Sequence, residues 1–136
     1  MGRNEHLRLT AARGFTLIEV CLVIGLILAL TTFVGISVVT VRNWQAGKDA
    51  SLALQAVYAA QRSYMADHPT SSMSDVTAEL LIPYLPQGWS SIPAVTGLSN
   101  ESLTIDHSTL PPRLLSSGAV YDPSGKSDDG LWDLGK

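Results

Sequence analysis

The sequence has 136 residues, with nine Lys or Arg, twelve Asp or Glu, one cysteine and a formal net charge of −3. A chain of this length holds one domain or less, and its acidic balance does not favour nucleic-acid binding, which uses a basic face. A single cysteine cannot form a disulfide within the chain.

The most informative stretch is an uncharged run of 22 residues at positions 20–41. A helix of that length extends about 33 Å, which matches the hydrocarbon core of a bilayer. The helices on the surface of soluble proteins carry a polar face, and this run has none. The run therefore predicts one membrane-spanning helix.

Glu19 directly precedes this run, where a carboxylate in hydrocarbon costs up to about 3 kcal/mol and calls for a partner. A cleaved secretory signal would have a shorter apolar region followed by a small-residue cleavage site, and the sequence has neither. A lipoprotein signal would need small residues before Cys21, where Glu19 and Val20 lie instead. A simple signal anchor with a chance glutamate stays open as an alternative.

Residues 14–19, GFTLIE, resemble the cleavage and methylation motif of type IV pilins and type II secretion pseudopilins. The resemblance implies that a prepilin peptidase cuts between Gly14 and Phe15 and methylates the new N-terminus on Phe15. It also implies that Glu19 pairs with the Phe15 amine of a neighbouring subunit during filament assembly. Opposite charges attract strongly at low dielectric, which suits that role.

The pattern and the resemblance together predict four segments. Residues 1–14 form a short basic leader, and residues 15–41 form the membrane half of a long helix. Residues 42–66 form its amphipathic half, and residues 67–136 form a small exported head. The expected fold class is α+β, pilin-like, with a small antiparallel sheet on the helical spine. Outside the leader, six basic residues face eleven acidic ones, so the mature chain is acidic.

The amphipathic half is predicted from alanines, which favour helix, and from a stripe spaced by three and four residues. We expect this stripe to pack against the head, and the helix to end near Met65. Trp44 is expected at the membrane–water boundary. The stripe comprises Leu54, Val57, Tyr58, Gln61, Tyr64 and Met65.

The head is predicted from turn signals and short alternating segments. A polar, proline-containing loop follows the long helix at 67–72, and Ser74 is expected to cap a short helix that Pro83 stops. Ser102 to Asp106 alternates polar and apolar residues and predicts a half-buried strand. Residues 118–121 and 131–134 are its expected partner strands.

One loop is a candidate metal site. Calcium prefers six to eight oxygen ligands from carboxylates and carbonyls, and pseudopilins, which this chain resembles, bind calcium near the C-terminus. The resemblance therefore suggests Asp122, Ser124, Asp128 and Asp129 as ligands, although the spacing is not that of an EF-hand and Lys126 interrupts it. A solvated surface turn is the alternative. No other cofactor is expected.

The sequence predicts a structural subunit and no enzyme, because no nucleophile is paired with a base at a recognisable spacing. By the resemblance, a type II secretion pseudopilus subunit is the first candidate. A disulfide in the head is typical of pilins, and the head of this chain has no cysteine. A major or minor type IV pilus subunit, serving adhesion, motility or DNA uptake, is second, and a membrane-anchored ligand-binding module is the alternative of another class. The implied partners are the prepilin peptidase, other subunits, and an assembly platform with its ATPase. The implied location is the bacterial inner membrane, with a cytoplasmic N-terminus and a periplasmic or extracellular head.

Overall fold

A computed structural model describes residues 14–135. One long helix, α1, occupies Leu17–Asp67. Two 3-10 turns at Met73–Asp75 and Ile82–Tyr84 flank a short helix, α2, at Ala78–Leu81. Four strands follow, which are β1 at Val95–Thr96, β2 at Ser102–Asp106, β3 at Arg113–Ser116 and β4 at Ala119–Val120.

The chain divides into two compact units, one ending at Val38 and the other beginning at Val39. In the first unit every described residue belongs to α1 or to the three residues before it, and every described side chain is exposed. We call the second unit, described over residues 39–135, the C-terminal unit. It contains the later part of α1, α2 and all four strands.

The strands form one antiparallel sheet in the order β1-β2-β3-β4, so each strand pairs with its neighbour in sequence. The long helix and the antiparallel sheet confirm the α+β class and are consistent with a pilin-like architecture. The strand predicted at 102–106 is confirmed, and the one at 118–121 is confirmed only at Ala119–Val120. The strand expected at 131–134 is wrong, because those residues form a turn-rich segment that joins no ladder.

The core of the C-terminal unit lies between one face of α1 and the inner face of the sheet. In β2, burial alternates along the strand, with Leu103 and Ile105 facing inward as the period of two requires. Leu114 on β3 and Val95 on β1 complete that face. The stripe on α1 is confirmed as core at Leu54, Val57, Gln61 and Tyr64, while Tyr58 and Met65 are half-buried.

A second, smaller cluster closes the far end of α1. Tyr64 packs with Met73, Val76 and Leu81 from the loop and α2. The Tyr84 hydroxyl donates a hydrogen bond of 2.8 Å to the Asp67 carboxylate, and this bond is the main cause that raises the pKa of Tyr84 above its usual value. The loop after α1 is thereby fastened to the end of the helix.

Ser74 does not cap the short helix as predicted. It lies inside the first 3-10 turn, and Thr77 precedes α2 without a capping hydrogen bond from its side chain. α2 ends at Leu81, as predicted, and Pro83 lies in the second 3-10 turn, which begins at the next residue. The first turn of a helix tolerates proline, since the N–H that proline lacks has no intrahelical partner there.

Gln61 connects α1 to the turn between β2 and β3. Its side chain is fully buried, and its Nε2 donates to the carbonyls of His107 at 2.8 Å and Thr109 at 3.0 Å. Two main-chain acceptors that would otherwise be buried without donors are thereby satisfied. This one side chain therefore fixes the turn onto the helix.

We expect Gln61→Leu to destabilise the C-terminal unit by about 1 kcal/mol, because both carbonyls lose their donor. The expected loss is no larger because the substitution also has a favourable part. Leucine removes the Gln61 Oε1, which is buried without a partner among the described residues. Urea unfolding of the full chain in detergent, followed by tryptophan fluorescence, measures it. Gln55→Leu, at an exposed position on the same helix, is the control, and an equal effect in both variants would contradict the assignment.

Asp106 stabilises the turn after β2 from its exposed side. Its carboxylate accepts hydrogen bonds from the Ser108 hydroxyl at 2.6 Å and the Ser108 N–H at 3.0 Å. The bond from the hydroxyl is the largest cause that holds the pKa of Asp106 below its ordinary value of 3.8. A lowered pKa in the folded state contributes stability that is present above the ordinary value and lost as pH falls through the folded one.

We therefore expect Ser108→Ala to destabilise the unit slightly at neutral pH. The difference from the wild type should shrink as pH falls below 3.8 and through the lowered pKa of Asp106 in the folded state, because the carboxyl then becomes protonated in both states. Denaturant midpoints across that pH range measure the effect, with the exposed Ser63→Ala as control. A difference that does not change with pH would show that the hydrogen bond to the ionised carboxylate is not the cause.

Candidate processing and assembly site

The predicted cleavage bond lies just outside α1. Gly14, Phe15 and Thr16 are not helical, and the Phe15 side chain is 83% exposed. The helix begins at Leu17, two residues later than predicted. The backbone N–H of Glu19 donates to both the hydroxyl of Thr16, at 3.3 Å, and its carbonyl, at 3.1 Å. Thr16 thus acts as the N-cap, and the bond between Gly14 and Phe15 is in non-helical, exposed chain.

Thr16 is a functional residue that the sequence analysis missed. The signal was present, because Thr-x-x-Glu before an apolar run is the pattern of a capping box. Only half of the box is formed here, since the N–H of Glu19 is bonded to Thr16 while the Glu19 carboxylate makes no hydrogen bond to any residue in 14–135. The carboxylate is exposed in the first turn of α1, where the helix dipole favours a negative charge.

The apolar part of α1 is a long exposed surface. All side chains from position 15 to 45 are exposed, including large ones such as Leu22, Phe33 and Ile36. The helix contains a segment long and apolar enough to span a membrane, with a mean hydropathy of 2.6 over 18 residues and no burial. An apolar surface of this extent needs a cover, and a lipid bilayer or other helices would provide one.

Hydroxyl groups within the apolar run are satisfied by the helix itself. Thr31 and Thr32 both donate to the Leu28 carbonyl, at 2.9 and 2.8 Å, and Ser37 donates to the Phe33 carbonyl at 3.0 Å. Hydrocarbon offers no hydrogen-bond partners, so internal bonds of this kind are what a spanning segment requires. α1 is continuous through Gly25 and Gly35, and a Cβ at either glycine would meet no atom within 4 Å. Small residues of this kind allow close helix packing.

Cys21 and Trp44 both lie on the exposed part of α1. Cys21 is a free, exposed thiol within the apolar run. Trp44 is 53% exposed, just before the first buried position on α1 at Gly47. The predicted leader, residues 1–14, lies outside the described residues except for Gly14.

The candidate calcium loop is held by its own hydrogen bonds. Asp122 accepts from the hydroxyl of Ser124 at 2.7 Å and from its N–H at 3.1 Å, and Asp129 accepts from the N–H of Leu131 at 2.9 Å. Over residues 14–135 no three His, Cys, Asp or Glu side chains come together as a metal site. The calcium hypothesis stays a prediction, which calorimetric titration of the full chain in detergent with calcium would test.

An apolar groove of about 460 Å³ lies between α1, β3–β4 and the C-terminus. Leu54 and Tyr58 of α1 line one part of it, and Leu114, Val120 and Tyr121 line another. The third wall consists of residues 132–135. We call residues 130–135 the C-terminal strap.

No protein-family model, curated protein or solved structure matches this chain. The functional assignment therefore depends on the residues themselves and on their placement.

Proposed function

We propose that the chain is a structural subunit of a type II secretion pseudopilus, processed by prepilin peptidase and assembled into a filament anchored in the inner membrane. The observation that carries the proposal is the arrangement at the start of α1. A non-helical, exposed Gly14–Phe15 bond is followed within one turn by a carboxylate that has no hydrogen-bond partner among residues 14–135, and then by an exposed apolar helix.

The cleavage step is supported by the position of the helix start. A peptidase needs access to the carbonyl and N–H of the bond that it cuts, and an α-helix engages both groups in its own hydrogen bonds. The N-cap at Thr16 leaves Gly14 and Phe15 outside those bonds. Cleavage there keeps the apolar run in the product and places a new α-amine four residues before Glu19.

The assembly step is supported by two charged groups that the proposal pairs. The Glu19 carboxylate has no hydrogen-bond partner among residues 14–135, and the new Phe15 amine would carry a positive charge. In lipid each charge is costly alone, and pairing between neighbouring subunits relieves both costs. Helices that bundle in the filament would also replace lipid as the cover of the exposed apolar surface.

In this proposal residues 1–14 lie in the cytoplasm, and the C-terminal unit lies on the other side of the inner membrane. The partners are the prepilin peptidase, further subunits of the same kind, and an assembly platform driven by its ATPase. A type IV pilus subunit is the second candidate, because the same start of α1 would serve it equally. The lone cysteine, Cys21, favours the pseudopilus, since no disulfide can staple the head.

Mass spectrometry of the N-terminal peptide from purified membranes tests the processing step. We expect a chain that begins at N-methylated Phe15 in cells with an active prepilin peptidase. Gly14→Val should leave the leader attached, because a branched side chain then occupies the cleavage position. Gly25→Ala is the matched control, since a Cβ there meets no atom within 4 Å, and it should be processed normally. A wild-type chain that still begins at Met1 would remove the proposal.

A further inference from the structure

The C-terminal strap docks on α1 near Gly47, where Trp132 and Leu131 approach the helix. Trp132 is 4% exposed and belongs to the core cluster, where its ring meets that of Tyr121 edge-on with centroids 5.3 Å apart. The backbone N–H of Trp132 donates to the carbonyl of Gly47 at 3.1 Å. This is the one backbone hydrogen bond between strap and helix among the residues that the structure describes. A segment at the end of the chain is thus fastened to the beginning of the buried part of α1.

The strap can approach α1 at Gly47 because this residue lacks a side chain. A Cβ at that position would lie 2.8 Å from Nε1 of Trp132 and 3.2 Å from the Cβ of Leu131. The first distance is shorter than real contacts of a Cβ, so either the indole or the helix would have to shift. Glycine inside a helix is less favourable than alanine. The close approach of the strap explains why a glycine is present at this position.

The docked strap carries two local costs. Trp132 has φ of +65°, a left-handed conformation in which a bulky side chain is a genuine outlier. In the next residue, Asp133 Oδ1 accepts from the Gly135 N–H at 2.7 Å, but Oδ2 is buried without a partner in residues 14–135. A carboxylate oxygen in that condition has lost its water and gained nothing in return. Burial of the indole offsets these costs in the docked state, and release of the strap would relieve both.

The paired residues of β2 and β3 have neither cost, although His107 Nδ1 in the turn after β2 is also buried without a partner among the described residues. β2 and β3 pair over three consecutive residue pairs in regular antiparallel register, and Leu103 and Leu114 are almost completely buried. Local opening in proteins occurs first where hydrogen bonds and buried contacts are few. The strap has one backbone hydrogen bond to α1 and two local costs, and its buried contacts are those of Trp132 with Leu131 and Leu134 packed beside it, whereas a regular ladder joins β2 and β3.

We infer that residues 130–135 are a releasable strap that opens locally while the sheet stays folded. Because Trp132, Asp133 and Leu134 form one wall of the apolar groove, the opening would widen the groove and expose its floor at Leu54 and Tyr58. This inference is independent of the proposed role in a filament.

Hydrogen–deuterium exchange of the full chain in detergent micelles, read by mass spectrometry, tests the strap. In the wild type, we expect amides of residues 130–135 to exchange at least about tenfold faster than those of β2 and β3. Gly47→Ala should accelerate exchange at 130–135 by about a further tenfold and leave the β2–β3 amides unchanged. Gln45→Ala, at an exposed position on the same helix, should change neither.

Three outcomes would overturn the inference. In the first, the wild-type strap exchanges at the same rate as β2 and β3, which would make it part of one cooperative unit. In the second, Gly47→Ala accelerates β2 and β3 together with the strap, which would show that the contact is structural for the whole unit. In the third, Gly47→Ala leaves the strap unchanged, which would show that the close approach of Trp132 does not hold it.

Discussion

Glu19→Ala is expected to abolish filament assembly while cleavage between Gly14 and Phe15 continues. Without the carboxylate, the Phe15 amine of each neighbouring subunit would have to enter the helix bundle unpaired. A charge left unpaired in the membrane costs about 3 kcal/mol, which corresponds to roughly a hundredfold loss at each contact between subunits. A filament multiplies that loss over many contacts.

The measurement is the amount of sheared or pelleted filament, detected by immunoblot and compared with the total chain in the membrane. Glu19→Gln keeps the volume of the side chain and removes the charge, so it should fail like Glu19→Ala if charge is the cause. Glu79→Ala, at an exposed position in α2, is the matched control and should assemble normally. Normal assembly of both Glu19 variants would rule out the subunit proposal, and a membrane-anchored binding module would then be favoured.

Leu54→Ala is expected to have the largest effect on stability. Leu54 is 1% exposed and lies in the core cluster opposite the sheet. Truncation of a buried leucine costs about 2–5 kcal/mol, through lost burial and the cavity left behind. The free energy of unfolding of small domains is only about 5–15 kcal/mol, so the C-terminal unit of this variant should be marginal or unfolded at growth temperature.

The same helix provides the control for this variant. Leu52 is two residues away and 60% exposed, so Leu52→Ala should change stability by no more than about 0.5 kcal/mol. Thermal unfolding of both chains in detergent, read by tryptophan fluorescence, gives the comparison. Equal midpoints for the two variants would contradict the position of the core on this face of α1.

The long helix and its buried face were predictable because both depend on local signals. The apolar run, the alanines and the spacing of the stripe lie in one continuous stretch. The predicted end near Met65 differs from the observed end at Asp67 by only two residues. The predicted start at Phe15 was two residues early because the cap at Thr16 was overlooked. A cap of this kind can be recognised from four residues of sequence.

The sheet was only partly predictable, because two of its strands carry weak signals. β1 has two residues, too few for any alternation to be recognised. β3 begins at Arg113, directly after two prolines, and has Leu114 and Leu115 in succession, so the segment resembles a turn more than an alternating strand. Its identity as a strand depends on pairing with β2, which is a non-local property.

The strap could not be derived from its own residues. Residues 131–134 carry an alternating pattern that is typical of a strand. The structure instead places Trp132 in the left-handed region and seats it on Gly47, 85 positions earlier. A glycine in an otherwise alanine-rich helix was the available hint that another part of the chain approaches there closely. The residue that approaches this glycine could not be identified from the sequence.

The burial pattern along α1 has a practical consequence for expression. Over residues 14–135, the first buried residue on the helix is Gly47, and the first partly buried residue is Ala46. A shortened chain that begins at about residue 40 would therefore keep every buried side chain of the C-terminal unit. It would also lose most of the exposed apolar surface. Such a fragment should be purified without detergent, and it would make the stability and exchange measurements accessible in plain buffer.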